Sequence, residues 1–188
     1  TGLCLNADGS RLGVVVDEFL AVVMAIPSGD VVTRFEGHDG YISSMTFNQD
    51  GTQVVTTSWD NTARVWDAET GAMVHQFNGH TDTVLNAAFS DDGRYLATLS
   101  RDRNVIVWNR DTNEERFRIS HSGHPLYTTF TPDGSAIATV SSDGGAQVWD
   151  TESGSMRFET GTQAGRAFMA DFNADGSRLM TVSSSRIN

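Results

Sequence analysis

A period of about 42 residues, a tryptophan closing each period, and four short strand patterns per period predict an all-β fold, a β-propeller of four-stranded antiparallel blades. The period is read from residues 58–67 (SWDNTARVWD), which return as SRDRNVIVWN at 100–109 and as SSDGGAQVWD at 141–150. Asp60, Asp102 and Asp143 stand 42 and then 41 residues apart, and Trp66, Trp108 and Trp149 follow them by six. A unit of this length buries its faces only against its neighbours, so the chain is predicted to be one array rather than several domains. Its units are 1–37 (partial), 38–79, 80–120, 121–162 and 163–188 (partial).

Residues 1–37 align with 43–79 at an offset of 42, Leu5 on Phe47 and Phe35 on Phe77, so this unit lacks its opening. Val16, Glu18 and Met24 stand where Ser58, Asp60 and Trp66 stand in the next unit, and the run from Phe19 to Val23 reads as an apolar strand region. Pro27 and Gly29 close it as a turn. In 38–79, YISSMTF and QVVTTS read as strands joined by a hairpin turn at 48–51, and ARVW and MVHQF as strands joined at 68–71. The unit 80–120 repeats the scheme with Asn109 for the last aspartate, and 121–162 repeats it with Pro125 at a strand entry, where a missing N–H is tolerated. Asp-Gly pairs at 8–9, 50–51, 92–93, 133–134 and 175–176 are hairpin turns, since calcium loops need several oxygen ligands at alternating positions. In the last unit Gln163 and Ser185 take the histidine and aspartate positions, and Phe172 is equivalent to Leu5, so both ends carry the same phase. About four and a half blades result, expected to be an arc of a larger propeller completed by the remainder of a longer chain or by another subunit.

Each full unit carries four polar residues at fixed offsets: His38, Ser58, Asp60 and Trp66; His80, Ser100, Asp102 and Trp108; His121, Ser141, Asp143 and Trp149. His121, rather than His124, takes the third histidine position, because it precedes Asp143 by 22 and Phe130 by nine, as His80 precedes Asp102 and Phe89. Tryptophan only donates, ionised aspartate only accepts, and serine and neutral histidine do both. A line from Trp N–H to Ser hydroxyl, from Ser to His and from His N–H to Asp would satisfy every member and stiffen a small sheet.

The Gly37-His38 and Gly79-His80 pairs, the Ser-x-Asp turn and Trp66-Asp67 resemble the WD-repeat β-propeller family over essentially the whole chain. The resemblance implies that the four residues are a structural tetrad and that the propeller is a non-catalytic protein–protein interaction scaffold. A Ser-His-Asp hydrolase triad is the rival reading of the same types, but a triad occurs once per site, whereas this set recurs with the repeat and no Gly-x-Ser-x-Gly elbow is present. In the family, one face of the disc is built from the residue before the tetrad aspartate and from those three and five after the histidine. On this sequence those positions are Trp59, Arg101 and Ser142; Tyr41, Thr83 and His124; and Ser43, Leu85 and Leu126. Tyr41, Trp59, Arg101 and His124 are therefore the expected partner-binding residues, with Arg101 suited to a carboxylate.

A net charge of −11 and a pI near 4.6 argue against a nucleic-acid partner, for which a basic stripe is expected. No run of about 18 apolar residues is present, so no membrane insertion is expected. One cysteine, Cys4, excludes an internal disulfide and a cysteine metal cluster. No cofactor or catalytic residue is assigned, and a cytoplasmic location follows from the lack of paired cysteines. The expected partner is a protein or peptide. Two alternatives stand beside the scaffold: a sensor or regulatory propeller of a larger signalling protein, and a propeller enzyme with a central-channel site, for which His75 and His124 would be the unpaired candidates.

Overall fold

The computed structural model describes residues 2–160 and 166–184. The first blade holds β1 (Leu3–Leu5), β2 (Arg11–Val15), β3 (Leu20–Ala25) and β4 (Val31–Glu36). The second holds β5 (Ile42–Phe47), β6 (Gln53–Ser58), β7 (Thr62–Asp67) and β8 (Met73–Asn78). The third holds β9 (Val84–Phe89), β10 (Tyr95–Ser100), β11 (Asn104–Asn109) and β12 (Glu114–Ser120). The fourth holds β13 (Pro125–Phe130), β14 (Ala136–Ser141), β15 (Ala146–Asp150) and β16 (Met156–Glu159), and β17 (Arg166–Phe172) pairs with β18 (Leu179–Ser184). Each sheet is an antiparallel meander in chain order. Four strands, β1 to β4, thus fall within the unit 1–37. Gln163 and Ser185 lie outside the described residues.

The Asp-Gly pairs turn the first strand of each blade into the second. Gly9, Gly51, Gly93, Gly134 and Gly176 have φ between 69° and 74°, where a side chain is disfavoured. The aspartate before each accepts the amide two residues on, as Asp50 does from Thr52 at 2.9 Å. At the other end of the second strand the turns are tighter and polar. Phe19, expected within a strand, sits instead in the turn before β3, where its amide and that of Leu20 both bond Asp17 Oδ1 at 2.9 Å. An aspartate that captures two following amides offers the backbone a turn in place of a ladder, and that local preference overrides the apolar run.

Blades stack face to face, so their middle strands are buried on both sides. All six residues of β10 and of β14 are buried, and these strands read as continuous apolar and threonine runs rather than alternating ones. Outer strands such as β4 alternate between buried and exposed positions. The core consists of seams between blades: Ala21, Val23 and Phe35 pack on Met45, Phe47, Val54 and Trp66, and Phe77 of the second blade packs on Leu96, Ile106 and Trp108 of the third. Each of those tryptophans lies against the outer-strand phenylalanine of the preceding blade, with ring centroids 5.7 Å apart for Phe35–Trp66 and 5.1 Å for Phe77–Trp108. A register slip just before Trp66, Trp108 and Trp149 recurs against each outer strand.

The first strands of the blades surround a central channel of about 370 Å³ lined by Cys4, Ser44, Thr46, Asn86, Thr128 and Thr129 among others. Among the described residues, no group of three or more His, Cys, Asp or Glu could hold a metal, and no helix is long and apolar enough to cross a membrane.

Candidate partner-binding face

The polar line that positions this face is present in the second and third blades, with one member changed. Trp66 Nε1 donates to Thr56 Oγ1 at 2.8 Å, Thr56 Oγ1 meets His38 Nε2 at 2.8 Å, and His38 Nδ1 meets Asp60 Oδ2 at 2.7 Å. In the third blade Trp108, Thr98, His80 and Asp102 repeat it at 2.9, 2.8 and 2.8 Å. Because the carboxylate can only accept, the imidazole carries its proton on Nδ1, and in the neutral ring Nε2 then accepts from the threonine hydroxyl. The expected serines, Ser58 and Ser100, are not in the line. Trp66 lies opposite Val54, so its diagonal neighbour on the same face is Thr56, whereas Ser58 is four residues, about 13 Å, along the strand. Ser58 Oγ instead donates to the Gly40 carbonyl at 2.9 Å and accepts the Asp60 amide at 3.1 Å, which shapes the turn. Thr56, Thr98 and Thr139 stand 42 and 41 residues apart, as Ser58, Ser100 and Ser141 do, so the spacing admits either set and the strand register separates them.

Burial opposes ionisation of Asp60, yet hydrogen bonds from His38 and Thr62 outweigh it and hold the carboxyl well below the usual range. Burial likewise opposes Asp102, and the Thr81 amide with His80 brings it down. Burial lowers the His80 imidazole despite the pull of Asp102, and it lowers His121 too.

The fourth blade departs from the expectation. Asp143 accepts from the hydroxyls of Ser122 and Ser141 and from the Gly123 amide. His121 Nε2, Thr139 Oγ1 and Trp149 Nε1 are buried with no hydrogen-bond partner among the described residues. One residue accounts for this. Ser120 pairs with Asn104 as Asn78 pairs with Thr62, and Pro125 pairs with Ser141 as Val84 pairs with Ser100, so the joining loop is one residue shorter. The residue lost is the glycine before the histidine. His121 is drawn back until its own amide bonds the Arg103 carbonyl at 2.9 Å.

Above these lines, the turn residue of the second, third and fourth blades is latched to the residue preceding the first strand. Trp59 N–H bonds the Tyr41 carbonyl at 2.9 Å, Arg101 N–H the Thr83 carbonyl at 3.0 Å, and Ser142 N–H the His124 carbonyl at 2.8 Å. Adjacent blades therefore present adjacent side chains. Tyr41 and Trp59, 39% and 50% exposed, bring their ring centroids to 5.0 Å, and the Arg101 guanidinium lies 5.6 Å from the Trp59 ring. His124 is exposed but stands one blade further on, its amide donating to Ser142 Oγ at 2.9 Å, with buried Thr83 occupying the intervening position. Phe19 extends the row at the other end: it is 44% exposed and meets Tyr41 edge-on at 5.5 Å. Its place follows from the 42-residue offset, which sets it opposite Asn61 in the turn beside Trp59.

Comparison with known proteins matches this architecture. A family model described as WD domain, G-beta repeat, covers residues 29–67, 71–109 and 116–150, each match running from the outer strand of one blade through the tryptophan strand of the next. The human WD repeat-containing protein 36 is 33% identical over 58 residues, a stretch that is 31% of this chain and 6% of that protein. Proteins of this repeat type are typically non-catalytic and generally bind other proteins. With three matches at the spacing of four-stranded antiparallel blades, the chain belongs to the WD-repeat family.

Proposed function

We propose that this chain is a non-catalytic interaction scaffold, residing in the cytoplasm, that docks a protein or peptide segment on the face formed by Tyr41, Trp59 and Arg101, with His124 at its far margin. The observation that carries the reading is the exposed stack of Tyr41, Trp59 and Arg101 across two blades, since half-exposed tryptophan, tyrosine and arginine in contact are the types concentrated at binding hot spots. Their backbones are held by the latching amides and by the buried polar lines beneath, so little order has to be acquired on binding. The central channel is lined by hydroxyl, amide, thiol and apolar side chains without a carboxylate or imidazole among the described lining residues, which supports binding over channel catalysis. His75, the other unpaired histidine, sits on outer strand β8 with its ring 4.6 Å from Phe77, away from that lining.

The test is selection of linear peptides from a display library on the purified chain. Selected peptides are expected to lose about 30-fold or more in affinity on Trp59→Ala, the size of a hot-spot truncation, with unchanged thermal unfolding. Equal binding to the wild-type chain, Trp59→Ala and Arg101→Ala would falsify this face as the recognition site.

A further inference from the structure

The aromatic row is chemically unequal at its two ends. At the third-blade end Trp59 already has a cation on its ring, that of Arg101 at 5.6 Å. At the first-blade end the Phe19–Tyr41 pair borders an open cleft of about 700 Å³ lined by Asp17, Glu18, Phe19, Leu20, Glu36 and Gly37. Three acidic residues thus line the cleft together with Leu20 and the exposed Phe19. Among the described residues none of the three is ion-paired to an arginine. The nearby Arg64 is spent elsewhere, 3.7 Å from Asp60 and 3.9 Å from Asp39. One oxygen of Asp17 is used by the amides of Phe19 and Leu20, which leaves the other for a ligand. The cleft is also fixed in place, because the Glu18 carbonyl accepts the Ile42 amide at 2.8 Å and ties the turn to the second blade.

We propose that this cleft receives the guanidinium or ammonium group of a basic side chain belonging to the segment that docks on Tyr41 and Trp59, an inference that rests on the face assigned above. A cation there would meet carboxylates on one side and the Phe19 ring on the other, the pairing that is strongest when partly withdrawn from water. The chain's net charge of −11 adds long-range attraction for a basic partner. The spacing sets the partner's pattern. Steps of 5.5, 5.0 and 5.6 Å lead from Phe19 through Tyr41 and Trp59 to Arg101, a span of at most about five extended residues at ~3.3 Å each. The segment therefore carries its basic residue within about five positions of an acidic group that meets Arg101, with an apolar or aromatic residue between.

The experiment uses the same display library on three proteins: the wild-type chain, the double variant Glu18→Gln/Glu36→Gln, and Trp59→Ala. Both glutamates are exposed, so the isosteric amides leave the fold intact, which thermal unfolding verifies. Wild-type selection is expected to enrich arginine or lysine at one position. The selected peptides should then lose about tenfold or more on the double variant, and equally when their own basic residue becomes alanine, with affinity falling as salt rises. Peptides that depend on Trp59 but show neither basic enrichment nor loss on the double variant overturn the cleft and leave the face standing. Peptides indifferent to Trp59→Ala overturn the face itself, and a selection that returns no binder overturns both.

Discussion

A threonine hydroxyl shared between a tryptophan and a histidine is the smallest unit on which this structure turns. Thr98 accepts from Trp108 and donates to His80, so Thr98→Val, which keeps the shape and removes the hydroxyl, strands a buried donor and a buried acceptor together. The expected cost is about 1–3 kcal/mol, read in denaturant unfolding. Asp102→Ala removes the acceptor of the His80 Nδ1 proton and should cost a similar amount, whereas Ser100→Ala, which only loosens a turn, should fall below both. Equal effects of Thr98→Val and Ser100→Ala would return the serine to the line. Acid acts on the same residues. The His80 imidazole sits below its ordinary value in the folded chain, so the unfolded chain takes up its proton first, and the stability held above about pH 6.5 is lost as pH falls through the folded value. Asp102 adds a second loss as pH falls below its ordinary carboxyl value toward its lower folded one. The melting temperature should fall from pH 7 to pH 5 and fall further below pH 4. An unfolding curve flat over pH 7 to 5 would contradict the assignment. Serine and threonine both recur with the repeat, and only the strand register says which of them the indole can reach.

At the scale of a blade, one glycine separates a connected polar line from a broken one. Gly79 lies where an added Cβ would stand 2.8 Å from the Trp108 ring, so no other residue fits there without displacing the indole. The fourth blade has no such residue, and His121 Nε2, Thr139 Oγ1 and Trp149 Nε1 have no hydrogen-bond partner among the described residues. Inserting a glycine between Ser120 and His121 restores the 42-residue step and should let the line close. The variant is expected to gain about 1–3 kcal/mol, or roughly 2–4 °C in melting temperature per kcal/mol. The same insertion beside His121→Ala should give no gain, which separates the polar line from a mere relief of loop strain. The 41-residue step was visible in the sequence, as was the 22-residue spacing that selects His121. What spacing alone could not show is that the missing residue is lost from the loop rather than from a strand, because that follows from pairing on both sides. Phe19 was hidden for a related reason: hydrophobicity placed it in a strand, and only the Asp17 carboxylate holding two amides puts it in a turn.

For the whole molecule, the blade order, the hairpins and the tryptophan positions were legible because a period of 42 is imposed many times over and local errors do not accumulate. The location of the core was less so, since it lies between units rather than inside them. Leu96, fully buried in the seam with the second blade, should cost about 2–5 kcal/mol on truncation to alanine, measured by denaturant unfolding. Gly13→Ala probes the same kind of seam from the opposite direction: a Cβ there would lie 2.7 Å from Cys4 Sγ and 2.9 Å from Met45 Cε, and overpacking of about 1–3 kcal/mol is expected. A stable Gly13→Ala variant would mean that the first two blades can slide apart at low cost.

The phenylalanine–tryptophan contact between neighbouring blades carries a consequence for how such arrays change in length. The outer-strand phenylalanine and the tryptophan it meets lie 31 residues apart in the chain, Phe35 with Trp66 and Phe77 with Trp108. Both therefore fall inside one stretch of repeat length that runs from a hairpin turn to the end of the next tryptophan strand, as the matched spans 29–67 and 71–109 do. A duplication of such a stretch delivers a finished joint, complete with both partners, and asks nothing new of the blades on either side. Gene duplication can thus lengthen or shorten the array by whole joints without any compensating substitution, so long as each copy keeps its phenylalanine and its tryptophan in step.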